Sequence, residues 1–351
     1  MENYRRRVRR VRVIVTIYYN SSTLKAAPYT AATLSDSHMI EKRKLDARIA
    51  VMLAGMRLLR KEFYNPRITP EANRRIVERD SRLVAGCREK IYGMFDMNIG
   101  QDLPVRIYRP SERSGLPLIL FIHGGGWVVG SIETHDNVCR KLSKLSGAIV
   151  VSVGYRLAPE NRFPAGLEDV YAALEWINQK AGSFGGDPTR LAVAGDSAGA
   201  NLAAAVCLVT RDRGGPPVRF QALAYPAVDT SNLDRESYHL NGKGYYLTRQ
   251  VIEQVIPLYI NKPNDIFNPY VSPLLAETPK GLPPALIITA EFDPLRSEGE
   301  AYTQRLEGAG VSCRLHRYTG MIHGFVSFTG ILPQAGRAID EIAAAISEAL
   351  M

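Results

Sequence analysis

From about residue 91 onward, short apolar runs of the chain alternate with longer amphipathic segments. Short apolar runs bounded by turn residues predict buried strands, and apolar residues recurring every third or fourth position predict helices. We predict strands at Val105–Tyr108, Leu118–His123, Ala148–Val153, Leu191–Gly195, Phe220–Tyr225, Ala285–Ala290 and Cys313–Tyr318, with helices at Thr134–Ser146, Gly166–Ala181, Ala198–Arg213, Gly299–Ala309 and Gln334–Leu350. Alternating strands and helices predict an α/β fold with a mostly parallel sheet covered on both faces.

Two regions outside this alternation are predicted to be helical. Helical spacing covers about Glu41 to Lys61 and, in a more charged form, Thr69 to Lys90. The interval from Tyr225 to Ala285 has no strand pattern but holds a helical run at Leu247–Ile260. We expect these helices to cover the strand ends as a lid. The predicted division is an N-terminal arm (1–37), cap helices (38–90) and an α/β domain (91–351) with a cap insertion at about 229–265.

The positive charge of the chain is concentrated at its beginning. The net charge is +9, and the first twelve residues hold six arginines against Glu2, so five of the nine charges lie on that arm. The rest of the chain is only mildly basic, which argues against a nucleic-acid partner. We interpret the arm as a disordered or tag-like extension, with a junction at Ser37–Met39. A secretory signal and a basic anchor are the alternatives.

Cysteine spacing and hydropathy indicate the setting of the protein. Its four cysteines, Cys87, Cys139, Cys207 and Cys313, are far apart and form no CxxC pair. This spacing favours neither a disulfide framework nor a zinc site and fits a reducing, cytoplasmic location. No stretch approaches the roughly 20 apolar residues of a membrane-spanning helix. We therefore expect no membrane span.

A GxSxG motif gives the first indication of chemistry. The sequence from Leu191 to Gly199 is an apolar run that passes through Asp196 and Ser197 directly into an alanine-rich helical segment. A serine on a sharp strand-to-helix turn is held above the sheet, and flanking glycines let the turn close. The start of the helix also favours a developing anion. Ser197 is therefore the predicted nucleophile.

A second strand runs into a glycine-rich loop, His123-Gly-Gly-Gly-Trp127. Acyl transfer needs backbone amides directed at the oxygen that becomes negative, and glycines let the backbone approach it. We assign this oxyanion hole to the amides of Gly125, Gly126 and Ala198, with Gly124 shaping the loop. His123 is interpreted as a brace for the loop rather than a base.

A serine hydroxyl needs a histidine base and a carboxylate that orients the histidine. His323 follows the last predicted strand, which places it at the same sheet edge as Ser197, whereas His38, His135, His239 and His316 lack a matching position. Asp293 follows the preceding strand and gives the order Ser, Asp, His expected of this arrangement. Glu291 is a rival for the acid on position alone. Asp196 is interpreted as structural, because its side chain points away from the hydroxyl in such a turn.

In combination, these motifs resemble the bacterial and archaeal esterases of the hormone-sensitive lipase family, in the branch with GDSAG, and the resemblance runs from about Met39 to the C-terminus. The motifs are HGGGW at His123, YRLAPE at Tyr155, FPAGLEDV at Phe163, GDSAGAN at Gly195, the Asp293-Pro-Leu-Arg296 element and His323-Gly-Phe325. Ala200 and Ser297 depart from the usual glycine and aspartate of that family.

The resemblance implies an α/β-hydrolase fold and a carboxylesterase that acts on short to medium acyl chains without a cofactor. The expected partner is a small-molecule ester, processed through an acyl-enzyme intermediate. A lactone, amide or carbamate substrate and a non-catalytic ligand-binding homologue are the alternatives. Trp127 is predicted either to shape a substrate pocket or to pack in the core. The sequence leaves the oligomeric state open, with a homodimer as one candidate.

Overall fold

The computed structural model describes residues 43–59 and 63–351. The predicted arm and His38 lie outside the described residues. Residues 44–351 form one compact unit. Its strands are β1 Gly93–Ile99, β2 Leu103–Arg109, β3 Leu116–Ile122, β4 Ile149–Val153, β5 Gly186–Asp196, β6 Phe220–Ala224, β7 Ala285–Phe292 and β8 Cys313–Ile322. Its helices are α1 Ala47–Leu58, α2 Pro70–Val84, α3 Asp136–Ser146, α4 Ala165–Lys180, α5 Ala198–Arg213, α6 Glu236–Asn241, α7 Arg249–Tyr259, α8 Arg296–Gly308 and α9 Pro333–Leu350.

All eight strands belong to one sheet, in the order β1-β2-β4-β3-β5-β6-β7-β8. Pairing is antiparallel between β1 and β2 and between β2 and β4, and parallel from β4 through β8. The predicted α/β fold with a mostly parallel sheet is therefore confirmed. The predicted strands and the long helices of the α/β region are also found, with ends that differ by a few residues.

The continuous apolar run of β3 is explained by burial on both faces of the sheet. Leu118, Leu120 and Ile122 belong to the hydrophobic core on one side of the sheet. Ile119 and Phe121 belong to the core on the other side. Successive side chains of a strand point to opposite faces, so a central strand needs apolar residues at every position.

Two short elements were not predicted. Strand β1 lies at the edge of the sheet and most of its residues are exposed, so it lacks the apolar run that predicts a buried strand. Helix α6 has only six residues, too few for a helical period to appear.

The predicted helix from Thr69 to Lys90 is too long. Helix α2 begins after Thr69, whose hydroxyl accepts a hydrogen bond from the Ala72 amide, and ends at Val84. Gly86 then adopts φ +71°, and a Cβ there would lie 2.7 Å from the Cα of Gly330. A left-handed glycine and this close approach terminate the helix. Among the described residues, no helix is both long and apolar enough to cross a membrane.

Candidate active site

Four parallel strands each end immediately before a residue that the sequence singled out. His123 follows β3, Ser197 follows β5, Asp293 follows β7 and His323 follows β8. The carboxyl ends of parallel strands lie at one edge of a sheet, so these residues are gathered there by topology alone. The hydrogen bonds among these residues show which side chains contact one another.

Ser197 occupies a strained turn between β5 and α5. Its φ and ψ are 55° and −122°, a conformation that side-chain-bearing residues rarely adopt, and its amide donates to the carbonyl of Ala224 at 2.8 Å. A Cβ on Gly199 would lie 2.1 Å from the Ile122 carbonyl oxygen, and one on Gly195 2.6 Å from the carbonyl carbon of Gly199. Only glycines fit at both positions, which explains the GxSxG spacing.

A chain of hydrogen bonds joins Ser197, His323 and Asp293. The Nε2 atom of His323 lies 2.8 Å from the Ser197 hydroxyl oxygen, and its Nδ1 atom lies 2.7 Å from Oδ2 of Asp293. Asp293 is fully buried, and its other oxygen accepts from the Leu295 amide at 2.8 Å. The imidazole is thus held between a carboxylate and a hydroxyl, an arrangement in which it can take the hydroxyl proton.

The rival groups have other partners. Glu291 is directed at the Gly320 amide, which donates to its Oε2 atom at 2.7 Å. His316 contacts Glu341, His239 contacts Asp234, and His135 contacts Asp196. The structure therefore brings His323 and Asp293, rather than these alternatives, to Ser197.

The glycine loop after β3 is a tight left-handed turn. Gly125, Gly126 and Trp127 have φ values of 130°, 59° and 60°. The Gly125 carbonyl accepts hydrogen bonds from the amides of Val128 and Val129, and a Cβ on Gly125 would lie 2.0 Å from the Val129 oxygen. Gly125 and Gly126 each border a cavity that also reaches Ser197. Ala198 is the first residue of α5, so its amide has no acceptor within the helix.

Gly124 and His123 make several contacts behind this turn. The Gly124 amide donates to Oδ1 of Asp196 at 2.9 Å, and a Cβ on Gly124 would lie 2.7 Å from the Asp196 backbone oxygen. His123 is buried, its Nδ1 lies 2.9 Å from the Gly124 oxygen, and its carbonyl accepts from the Tyr155 hydroxyl at 3.0 Å. Burial lowers the pKa of His123 to about 4, because a charged imidazole is disfavoured there.

Trp127 both packs in the core and borders a cavity. It is 4% exposed, and its indole Nε1 donates to Oδ1 of Asn201 at 3.2 Å. The Asn201 amide nitrogen donates to the carbonyls of Ala227 and Val271. Sequence reasoning missed Asn201, although a polar residue in the apolar first turns of α5 was a visible signal.

Two cavities meet at Ser197 and His323. The larger, of about 220 Å³, is bordered by side chains of α1 and α2, including Met52, Met56 and Val77. The smaller, of about 40 Å³, is bordered by Trp127 and by α7, including Val255. The N-terminal helices and the interval between β6 and β7 thus supply walls of the two cavities that meet at Ser197.

Sequence reasoning also missed Glu298, which borders the smaller cavity. It is 1% exposed, and it accepts hydrogen bonds from the amides of Val228 and Asp229 and from the Tyr238 hydroxyl. Burial raises the pKa of Glu298 to about 8. Its neighbour Ser297 accepts a hydrogen bond from the Ser237 amide at 3.1 Å.

Comparison with known proteins agrees with this architecture. The family described as alpha/beta hydrolase fold matches residues 119–327. The carboxylesterase NlhH of Mycobacterium tuberculosis is 43% identical over 254 residues, which are 71% of this chain and 79% of that protein. The ethyl acetate hydrolase of Pseudomonas putida is 37% identical over 287 residues, or 79% of this chain and 89% of that protein.

Solved structures give the same result. A hyperthermophilic esterase from the archaeon Pyrobaculum calidifontis superposes with a TM-score of 0.82 and 41% identity, covering 87% of this chain and 98% of that one. The carboxylesterase EstE1, cloned from a metagenomic library, has a TM-score of 0.80 and 43% identity, covering 82% of this chain and 100% of that one. The chain belongs to the α/β-hydrolase fold family. The resemblance to esterases of the hormone-sensitive lipase family is confirmed by these relatives.

Proposed function

We propose that this protein is a carboxylesterase that hydrolyses short- to medium-chain esters through Ser197, His323 and Asp293. The observation that carries the proposal is the pair of hydrogen bonds on the two nitrogens of His323, 2.8 Å to Ser197 and 2.7 Å to Asp293. The named activities of the relatives, a carboxylesterase and an ethyl acetate hydrolase among them, support the same substrate class.

The proposed mechanism uses side chains and backbone amides of the chain and one water molecule. His323 takes the proton of Ser197 as the hydroxyl oxygen attacks the ester carbonyl carbon, and Asp293 stabilises the imidazolium that forms. His323 then gives the proton to the departing alcohol. A water molecule repeats the attack on the acyl-enzyme and releases the acid.

The oxyanion of each tetrahedral intermediate is assigned to the amides of Gly125, Gly126 and Ala198. Support comes from the left-handed turn at the two glycines and from the position of Ala198 at the start of α5. One well-placed donor of this kind contributes roughly 2.7 to 4 kcal/mol of transition-state stabilisation. Gly124 and His123 are proposed to hold the turn from behind.

The acyl-length range is proposed from the two cavities. An ester has two arms, and cavities of about 220 Å³ and about 40 Å³ diverge from Ser197. The smaller volume suits a short arm and the larger a longer one. Helices α1 and α2, together with α6 and α7, are proposed to form the cap over these cavities, within the predicted segments 38–90 and 229–265.

Hydrolysis of p-nitrophenyl butyrate by the wild type and by Ser197→Ala tests the proposal. We expect kcat to fall by about 10⁶-fold in the variant, since the nucleophile and its base act as a unit. The matched control is Ser183→Ala. Ser183 is exposed and precedes β5, whereas Ser197 follows it, so this variant should behave like the wild type. Turnover that survives Ser197→Ala would overturn the assignment.

A further inference from the structure

A second histidine–aspartate pair lies beside the nucleophile and is not used by the proposed mechanism. The Nε2 atom of His135 lies 3.0 Å from Oδ1 of Asp196, and each residue is 7% exposed. The same Oδ1 atom accepts the hydrogen bond of the Gly124 amide at 2.9 Å. One carboxylate oxygen therefore joins the residue before Ser197, the glycine loop and His135.

The ring of His135 is fixed at both of its nitrogens. Its Nδ1 atom lies 2.8 Å from the Thr134 hydroxyl oxygen, which in turn donates to the Ser131 carbonyl at 2.7 Å. The imidazole also lies against Phe121 and His123, with ring centroids 5.9 Å away in both cases. Because both nitrogens have partners and two neighbouring rings pack against the imidazole, the Nε2 atom is held facing Asp196.

Asp196 needs this partner because it is a buried carboxylate. Burial by itself raises its pKa, but the His135 contact and the Gly124 amide outweigh burial, so that the pKa of Asp196 lies below its ordinary value. His323 contributes a further, smaller lowering of the pKa of Asp196. Without His135, the Gly124 amide would be the remaining hydrogen-bond donor to this buried carboxylate, whose charge would then be poorly compensated.

The place of the pair connects it to the oxyanion hole. His135 and Asp196 border the larger cavity together with Ser197 and His323. Gly124, which Asp196 holds, immediately precedes the left-handed turn at Gly125. Gly125 packs so closely that a Cβ on it would lie 2.0 Å from the Val129 oxygen. A shift of Gly124 would therefore be transmitted along this tight turn to the amides assigned to the oxyanion hole.

We propose that His135 is a positioning residue for the oxyanion hole: it holds the Asp196 carboxylate so that Asp196 fixes Gly124 and thereby the amides of Gly125 and Gly126. This inference rests on the proposed esterase function. It predicts that His135 stabilises the transition state selectively, since a displaced hole weakens binding of the oxyanion but not of the uncharged ester.

The test compares two amide side chains of different length at position 135. In His135→Gln the amide nitrogen reaches the place of Nε2 and can still donate to Asp196. In His135→Asn the shorter side chain places its amide near the former Nδ1 and cannot reach Asp196. We expect kcat to fall about 10- to 100-fold in His135→Asn, as for other small displacements of catalytic groups, with KM little changed and with kcat largely retained in His135→Gln.

A trifluoromethyl ketone supplies the second readout. It forms a tetrahedral adduct with the serine oxygen, and its oxyanion occupies the hole. We expect its Ki to rise in His135→Asn by the same factor by which kcat falls, since both report stabilisation of the oxyanion. Rates are expressed per active site titrated with a phosphonate, so a partly unfolded sample does not alter the comparison.

Asp196→Ala gives an independent variant if His135→Asn does not accumulate. It should lose kcat to a similar extent, and adding His135→Asn to it should cost little more, because the two residues act in series. The control His316→Asn makes the same substitution at an exposed histidine of β8 that is paired with Glu341 of α9, and it should leave kcat and Ki unchanged.

Equal behaviour of His135→Asn and His135→Gln, or an effect confined to KM, would overturn the role of His135 while the wild type remains an active esterase. Failure of the wild type to hydrolyse any ester would instead overturn the proposed function, so the two failures are distinguishable.

Discussion

The indole of Trp127 and the ring of Tyr259 lie face to face, with centroids 4.4 Å apart and planes 5° apart. This contact joins the loop after β3 to the last residue of α7, and both residues are buried. Trp127, which borders the smaller cavity and follows Gly126 in the turn, is therefore packed directly against α7. Stacked aromatic pairs contribute about 0.5–1.5 kcal/mol beyond the area that they bury.

This stack predicts different outcomes for two substitutions of Tyr259. Its hydroxyl has no hydrogen-bond partner among the residues that the structure describes. Tyr259→Phe should therefore leave Tm unchanged or raise it slightly, because an unsatisfied polar group is removed. Tyr259→Ala should lower the free energy of unfolding by about 3–5 kcal/mol. Thermal unfolding of both variants checks this, and a large loss of Tm in Tyr259→Phe would contradict it.

The proposed acid, Asp293, can be tested against its rival Glu291, two residues away. Asp293→Asn should keep the fold but lower kcat by about 10⁴-fold, because the amide no longer holds the histidine in the required tautomer. Glu291→Gln should show no comparable loss, since its side chain contacts Gly320 instead. Steady-state kinetics of both variants with one ester decides the assignment, and the reverse order of effects would identify Glu291 as the acid.

The glycine loop after β3 predicts unequal effects of two neighbouring alanine substitutions. Gly125→Ala should abolish activity and lower Tm, because its Cβ would lie 2.0 Å from the Val129 oxygen. Gly126→Ala should fold at a cost of roughly 1–2 kcal/mol for the left-handed backbone, since its nearest neighbour is a Val255 methyl at 3.5 Å. Gly336→Ala in α9, with open space around it, should stabilise by about 0.5–1 kcal/mol. Steady-state kinetics and thermal unfolding of the three variants test this ranking. Equal losses of activity and Tm in Gly125→Ala and Gly126→Ala would refute it.

The smaller cavity predicts a change of ester preference in Val255→Ala. Removing two methyl groups next to Gly126 enlarges this cavity and leaves the larger one intact. kcat/KM is measured for two series of esters, one with acyl arms of increasing length and one with alcohol arms of increasing length. Relative to the wild type, kcat/KM for the longer members should rise in only one of the two series. The series that changes identifies which arm the smaller cavity holds. A matched change in both series, or in neither, would contradict the division of the ester between two cavities.

The buried Glu298 predicts a pH dependence of stability. Its pKa is raised from 4.5 to about 8, so the folded state holds a proton that the unfolded state releases. The stability from this group is therefore fully present below pH 4.5 and is lost as pH rises through about 8. The facing groups are Tyr238 and Asp229, and Asp229 is itself paired with Arg235.

The variant Glu298→Gln keeps the shape of the side chain and removes its titration. Between about pH 5 and pH 8 its free energy of unfolding should fall less steeply than that of the wild type. Urea unfolding at several pH values measures both slopes, with Glu348→Gln at an exposed position of α9 as the matched control. Parallel slopes for wild type and Glu298→Gln would show that Glu298 stays ionised in the folded protein.

Much of the fold and of the candidate site could be predicted because local pattern and chain order carry them. Apolar runs alternating with helical periods determined the α/β class, and the position of each strand end placed Ser197, Asp293 and His323 at one edge of the sheet. The sequence carries glycine at positions 124, 125, 195 and 199 because a Cβ at any of them would lie within 3 Å of neighbouring backbone.

Only the tertiary structure decided between groups that are equivalent along the chain. Glu291 and Asp293 lie two positions apart, and a shift in the β7–β8 register lies between Ala290 and Phe292, so their side-chain directions depend on the neighbouring strand. The contacts of His135 with Asp196 and of Trp127 with Asn201 join residues more than sixty positions apart. Such contacts depend on how packed elements meet in space, and no local period encodes a distance of that kind.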